Sequence, residues 1–410
     1  MIADPPAAAP PVTGRPVLTV RLDAVAHNTR VLAARVPHLM AVVKADGFGL
    51  GAVDLARTAL AHGARSLGVT TLAEAAALRA AGITAPVLSW LDAADADLDA
   101  AVLHTVDLAV PGVAHLDAVR ATARRLGRAV VVHLYLDCGT ARDGCPPERW
   151  PALCAAAAAA EREGAVHVVG VMGHLACAAH PEDPENAAAV TRFVHGLAQA
   201  RAAGLRPALR HLAATAGVLG VPGAVLDLAR VGAGLVGIDP SGRSTALRDV
   251  AHVTAPVVQV RDVPAGTGVG YDHTYRTPAP TRLALLPLGY ADGLPVAASG
   301  RAEVLLHGRR RPLVGRISMD QVVVDAGDLP VAAGEVATVV AAGAPDADPR
   351  AVPTPDAGPT LAEWARWSGS LPHEVLTGLG PRLVRRTVPA APLAAPRAAA
   401  HPDPHPEETR

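Results

Sequence analysis

The chain has 410 residues, 50% apolar and 18% charged, with 37 Lys+Arg against 38 Asp+Glu. At roughly 100–200 residues per domain this is material for two or three domains with sizeable cores. A formal net charge of −1 offers no global field for a polyanion, which excludes nucleic acid as a first choice of partner. No apolar run of about 20 residues and no basic, apolar, small-residue leader is present, so neither a membrane span nor a signal peptide is expected. Cys138, Cys145, Cys154 and Cys177 form no CxxC pair. That speaks against a disulfide framework or a structural metal and for a reducing, cytoplasmic setting.

Lys44 is the only lysine in the chain, against abundant Ala, Pro, Gly and Arg and scarce Asn, Phe and Tyr. This is the signature of a strong G+C coding bias, under which surface lysines drift to arginine at little energetic cost. A lysine that persists is one arginine cannot replace. The usual reason is chemistry at a neutral amine, since an ammonium can lose its proton and attack a carbonyl and a guanidinium cannot. Chance survival is the plain alternative, and the neighbourhood of Lys44 has to decide.

Along the chain, residues 1–15 are Pro/Ala-rich without periodicity and read as a mobile tail, as do residues 389–410. Between them, short apolar and β-branched runs alternate with stretches of helical period. The runs lie near 40–45, 67–71, 86–91, 107–110, 129–137, 167–174, 208–215 and 228–232. Helical stretches follow them, for example at 72–81, 114–126, 147–163 and 186–203. Strands apolar on both faces belong to a parallel sheet covered by helices. Eight such units in about 210 residues predict a closed (β/α)8 TIM-type barrel over 16–246. A doubly wound sheet would want a GxGxxG loop after its first strand, and none is there.

From about residue 247 the texture changes. Runs at 252–260, 281–288, 302–306, 312–316, 321–325 and 335–341 are separated by Gly/Pro turns without helices, and predict an antiparallel β domain over 247–388. Residues 342–359 read as a solvated loop and 360–378 as helix.

Active sites of a (β/α)8 barrel sit at the C-terminal ends of its strands. Lys44 ends the first strand, Arg142 lies just past the fifth and His174 ends the sixth. His211 and Thr215 lie on and after the seventh, and Arg230 is on the eighth. Singly, a strand-end His or Arg is more often a structural residue or a surface pair. Together they converge on one mouth. Thr215 and the Gly232–Ala233 backbone come from the loops where this fold commonly holds a phosphate.

The segment AVVKADGFGLGA around Lys44 resembles the cofactor-lysine motif of alanine racemases. The resemblance continues through LDCGTARDG, MGHLA, RHLAAT and RVGAGLVGIDP, then VGYDHTY, PLGYADG, VGRISMDQ and GSLPHEVLTGLGPR. It spans nearly the whole chain apart from the tails. It implies a pyridoxal 5'-phosphate barrel, a C-terminal β domain, and a head-to-tail homodimer in which each site borrows residues from the partner. By this resemblance Lys44 would bond the cofactor and act as base on one face. Tyr271 from the other subunit would be the base on the opposite face, with His174 as its hydrogen-bond partner. Arg230 would face the pyridine nitrogen with His211 behind it, while Arg142, Met319 and Tyr290 would meet the substrate side. Three of the four tyrosines fall at Tyr271, Tyr275 and Tyr290, which weighs against an ordinary turn tyrosine at 271.

The departures concern the phosphate and the substrate entrance. A tyrosine usual in the family is Phe48 here, and a second corresponds to His373, which if protonated could replace one lost donor. The usual Asn-Ser pair is Ala214–Thr215, and a position that often carries a carbamylated lysine is Tyr135. The expectation is a diverged amino-acid racemase acting on alanine or a related small amino acid by two bases. The alternatives are another Cα-carbanion reaction on the same scaffold, an aldol-type cleavage or transfer on a β-hydroxy amino acid, and a cofactor-poor regulatory or structural homologue.

Overall fold

The computed structural model describes residues 14–244, 246–342 and 357–390. The two expected tails and the expected loop at 342–359 lie almost wholly outside the described residues. Strand β1 (Val17–Arg21) buries Val17, Leu18 and Val20 and leaves Thr19 and Arg21 half-buried, close to the period-2 pattern of a strand with one covered face. It precedes a helix, as a barrel strand would, yet it pairs antiparallel with residues 251–254 and parallel with 384–388. The segment expected to open the barrel therefore contributes a strand to the second domain's sheet.

The eight apolar runs form β2 (Leu39–Val42), β3 (Ala64–Val69), β4 (Val87–Ser89), β5 (Asp107–Val110), β6 (Val130–Tyr135), β7 (Val166–Met172), β8 (Leu209–His211) and β9 (Ala229–Val231). All run parallel, in sequence order, with β9 returning to pair with β2 through Ala41↔Val231. No ladder joins β8 to β9, but the Arg230 N–H donates to the Ala213 carbonyl at 3.0 Å, so the cylinder is nearly closed. The interior packs Met40, Leu88, Ala109, Tyr135, Met172 and Leu228 against Trp90. Gly68 and Gly170 leave room for larger rings there: a Cβ at Gly68 would meet Trp90 at 2.7 Å, and one at Gly170 would meet His133 at 2.1 Å. Helices Leu72–Ala80, Val113–Leu126, Trp150–Arg162 and Pro184–Ala202 cover the outside close to where their periodicity predicts.

The second domain holds β10 (Ala251–Pro256), β11 (Gln259–Val263), β12 (Gly268–Val269), β13 (Tyr275–Arg276), β14 (Thr281–Leu286), β15 (Glu303–Leu306), β16 (Arg309–Val314), β17 (Val322–Gly327), β18 (Val336–Val340) and β19 (Val384–Val388). Nine strands form one sheet in the order β11-β14-β17-β16-β15-β18-β10-β1-β19, antiparallel except for β1–β19. The run 252–260 is two strands rather than one, because the chain leaves the ladder after Pro256 and re-pairs β11 with β14. The helix expected over 360–378 is also two, Leu361–Ser368 and Pro372–Gly378. The first is capped by Thr360 and stopped by left-handed Gly369.

Candidate active site

Lys44 leaves β2 into a turn of the opposite hand. Ala45, Asp46, Gly47, Phe48 and Gly49 all have φ between 50° and 79°, a left-handed helical turn. For a residue with a Cβ this conformation costs about 1–2 kcal/mol, so the surroundings must enforce it. Glu74 does so from the helix Leu72–Ala80 that follows β3. One carboxylate oxygen accepts from the Ala45 N–H at 2.7 Å, and the other accepts from the Thr70 N–H and hydroxyl, both at 2.8 Å. Asp46 accepts from the Ala52 N–H at 2.9 Å and closes the turn from the other side. The second domain braces it too, since Arg385 of β19 donates to the Gly49 carbonyl and faces Asp46 at 3.5 Å.

The turn delivers the Lys44 amine into a pocket of about 330 Å³ at the C-terminal mouth of the barrel. Phe48, Tyr135, Arg142, His174, Ala214, Thr215, Arg230, Gly232, Ala233 and His373 line it as well. Burial and the neighbouring Arg142 push the Lys44 ammonium below its ordinary range, with Glu74 opposing. The amine is biased toward its neutral form.

Arg230 is buried and, among the described residues, makes no bond to a carboxylate. Its Nη1 donates to His211 Nδ1 and to the His211 carbonyl, both at 3.0 Å. Its Nη2 donates to the Gly173 carbonyl at 2.6 Å and to His174 Nδ1 at 3.2 Å. A guanidinium can only donate, so His174 must accept on Nδ1 and carry its proton on Nε2. Burial, with Arg230, Arg142 and Lys44 around it, pulls the His174 pKa down to about 3, which keeps the ring neutral. Tyr135 is buried and lines the pocket together with Arg142, occupying the place where the family resemblance expects a modified lysine.

On the opposite wall, Thr215 Oγ1 accepts from the Gly234 N–H at 3.0 Å, leaving its own proton to donate. A Cβ at Gly232 would come within 3.0 Å of Phe48 Cζ, so the glycine lets that ring lie flush with the loop. The Phe48 and His373 rings are 6.4 Å apart, and His373 Nδ1 is buried without a hydrogen-bond partner. Burial and Lys44 push the His373 imidazole down. An amine, a hydroxyl, two guanidinium groups and an unpaired imidazole nitrogen around one pocket suit a phosphorylated aldehyde.

Within one chain, Tyr271, Tyr290 and Met319 do not line this pocket. They are 69%, 44% and 52% exposed on the second domain. They are near one another, because the Tyr290 and Ala291 N–H groups bond the Ser318 and Met319 carbonyls and Asp272 pairs with Arg316 at 2.5 Å. Glu74 was not anticipated as a site residue, although Thr71 and Glu74 form a capping box legible as T-x-x-E. His133, buried under His211, carried no signal in the sequence.

Family sequence models of the alanine racemase N-terminal domain and C-terminal domain match residues 20–240 and 250–387. The chain belongs to the alanine racemase family. It is 42% identical to an alanine racemase of Frankia casuarinae over 91% of this chain and 96% of that protein. It is also 42% identical to one from Mycobacterium tuberculosis, over 89% and 94%. Among solved structures it resembles the alanine racemase of D-cycloserine-producing Streptomyces lavendulae, with TM-score 0.87 and 39% identity over 93% of this chain and 99% of that one. With relatives of this identity and coverage, the chain is an amino-acid racemase, an isomerase. Nothing in these matches favours the aldol-type alternative. Among the described residues, no helix of this alanine racemase family member is long and apolar enough to cross a membrane.

Proposed function

We propose that the protein interconverts L- and D-alanine, or a close small analogue, with pyridoxal 5'-phosphate held by Lys44 and the phosphate wall described above, and with two bases on opposite faces of Cα. The observation that carries this reading is the half-buried Lys44 amine, biased toward neutrality, beside a histidine held neutral by burial and by Arg230. When bound, the cofactor supplies an electron sink that makes the Cα proton acidic. Lys44 removes or returns that proton on one face. Its counterpart is Tyr271 of the partner subunit. His174, forced to carry its proton on Nε2, donates toward that phenol oxygen and orients it for proton transfer. Arg142 receives the substrate carboxylate together with the partner's Met319 backbone and Tyr290. Thr215, Gly232, Ala233 and His373 hold the phosphate past Phe48, and Arg230, backed by His211, faces the ring nitrogen.

The exposed group of Tyr271, Tyr290 and Met319 supports a homodimer with shared sites, because it supplies what the single-chain pocket lacks. Four cysteines without a disulfide support a reducing, cytoplasmic setting. Solvent-deuterium incorporation at Cα over a panel of L- and D-amino acids tests the reading. Exchange in both enantiomers of alanine with interconversion, abolished in Lys44→Ala, is expected. Exchange without interconversion, or release of an aldehyde from a β-hydroxy amino acid, overturns it.

A further inference from the structure

Arg230 is a guanidinium buried among carbonyls and imidazoles, with burial itself the main influence drawing its pKa down. A buried charge of this kind needs compensation. The hydrogen bonds behind it lead through the barrel. Because Arg230 donates to His211 Nδ1, His211 must carry its proton on Nε2. That nitrogen lies 2.9 Å from His133 Nδ1, so His133 is the acceptor and must carry its own proton on Nε2. His133 Nε2 is buried without a hydrogen-bond partner and points at the Asp107 carboxylate, 3.6 Å away. Asp107 and His133 line a second cavity, of about 700 Å³, at the N-terminal end of the barrel. The sequence makes space for this column. Gly170 on β7 lies where any Cβ would come within 2.1 Å of His133 Nδ1, the accepting atom.

We propose that Asp107 and His133 are positioning residues for Arg230, acting through His211. A carboxylate at the N-terminal end of the barrel orders two neutral imidazoles as Nε2–H tautomers, and their aligned dipoles hold and compensate the guanidinium at the C-terminal mouth. This rests on the proposed role of Arg230 at the cofactor ring nitrogen. The order tolerates no second proton on His133, because an Nδ1–H there would face the His211 Nε2–H across 2.9 Å.

The test uses the full-length, cofactor-loaded protein. Side-chain ¹⁵N NMR should show His211 and His133 neutral and protonated on Nε2. His133→Leu, which removes the acceptor, should lower kcat roughly tenfold with KM little changed. His133→Asn, whose amide oxygen can stand near Nδ1, should recover most of the loss. A proton on Nδ1 of either ring overturns the proposal, and because that measurement needs no variant it decides even where His133→Leu fails to fold. If Arg230→Gln cripples kcat and a folded His133→Leu does not, the proposal falls and the reading of Arg230 stands. If neither substitution affects kcat, the reading of Arg230 fails and takes the proposal with it.

Discussion

Phe48 and His373 occupy one wall of the pocket, and together they change how a phosphate can be held. Phe48 contributes a ring without a donor. His373 contributes an imidazole whose Nδ1 has no partner and whose protonation is opposed by burial and by Lys44. A dianionic phosphate placed beside it works in the opposite direction and favours the imidazolium. Cofactor binding is then coupled to proton uptake, so affinity is expected to fall as pH rises through the His373 pKa of the loaded protein. Phe48→Tyr should tighten binding by about 1.5–3 kcal/mol, the worth of a hydrogen bond to a charged group. His373→Leu should weaken it and remove the pH dependence. Titration of cofactor-free protein with pyridoxal phosphate between pH 6 and 9 measures all three. Superimposable curves for parent and His373→Leu would place the phosphate on Thr215 and the Gly232–Ala233 backbone instead.

The left-handed turn after β2 is the element on which the site depends. Ala45, Asp46 and Phe48 each hold a conformation costing about 1–2 kcal/mol, and Glu74 restrains them. Burial works to raise the Glu74 pKa, but bonds from Thr70, Ala45 and Thr71 outweigh it and hold the carboxyl below its ordinary range. The sign follows from linkage. A group depressed in the folded state adds stability that is fully present above its unfolded value and is lost as pH falls through the folded one. Glu74→Ala is therefore expected to cost about 3 kcal/mol at pH 7, from the loss of several charge-assisted bonds. The gap to the parent should close in acid, below the ordinary glutamate range. Denaturant unfolding at pH 7 and pH 3 checks both statements, and a gap independent of pH would mean that Glu74 acts by packing.

At the scale of the whole molecule, the first and last described strands are joined. β1 and β19 pair in parallel, and Arg385 on β19 reaches the Lys44 turn, so the second domain is fastened to the barrel beside its site. The same domain displays Tyr271, Tyr290 and Met319 away from the pocket of its own chain. The shared site proposed for a homodimer makes a quantitative statement. Inactive Lys44→Ala and Tyr271→Phe dimers, dissociated and remixed, form heterodimers with one intact site of two. Random association restores about one quarter of parent activity per protein, from half the dimers each carrying half their sites. No recovery on mixing would place both bases on one chain.

The sequence by itself determined the barrel, because strands buried on both faces read as apolar runs and their helices as 3.6-residue periods, and both signals are local. It also determined which residues gather at the mouth, since the fold places every strand end there: Lys44, Arg142, His174, Thr215 and Arg230 all reach one pocket. Only the tertiary structure decided the rest. The burial of β1 shows a strand but not its partners, which lie more than 200 residues away. His133 is indistinguishable in sequence from any other residue of its strand until Gly170 opens the space that lets it meet His211. The hand of the Lys44 turn and the tautomers of the histidines depend on hydrogen-bonding partners brought from distant strands and helices. A hydrogen bond across the fold leaves no period in the sequence, so these features emerge only where the folded chain brings the groups together.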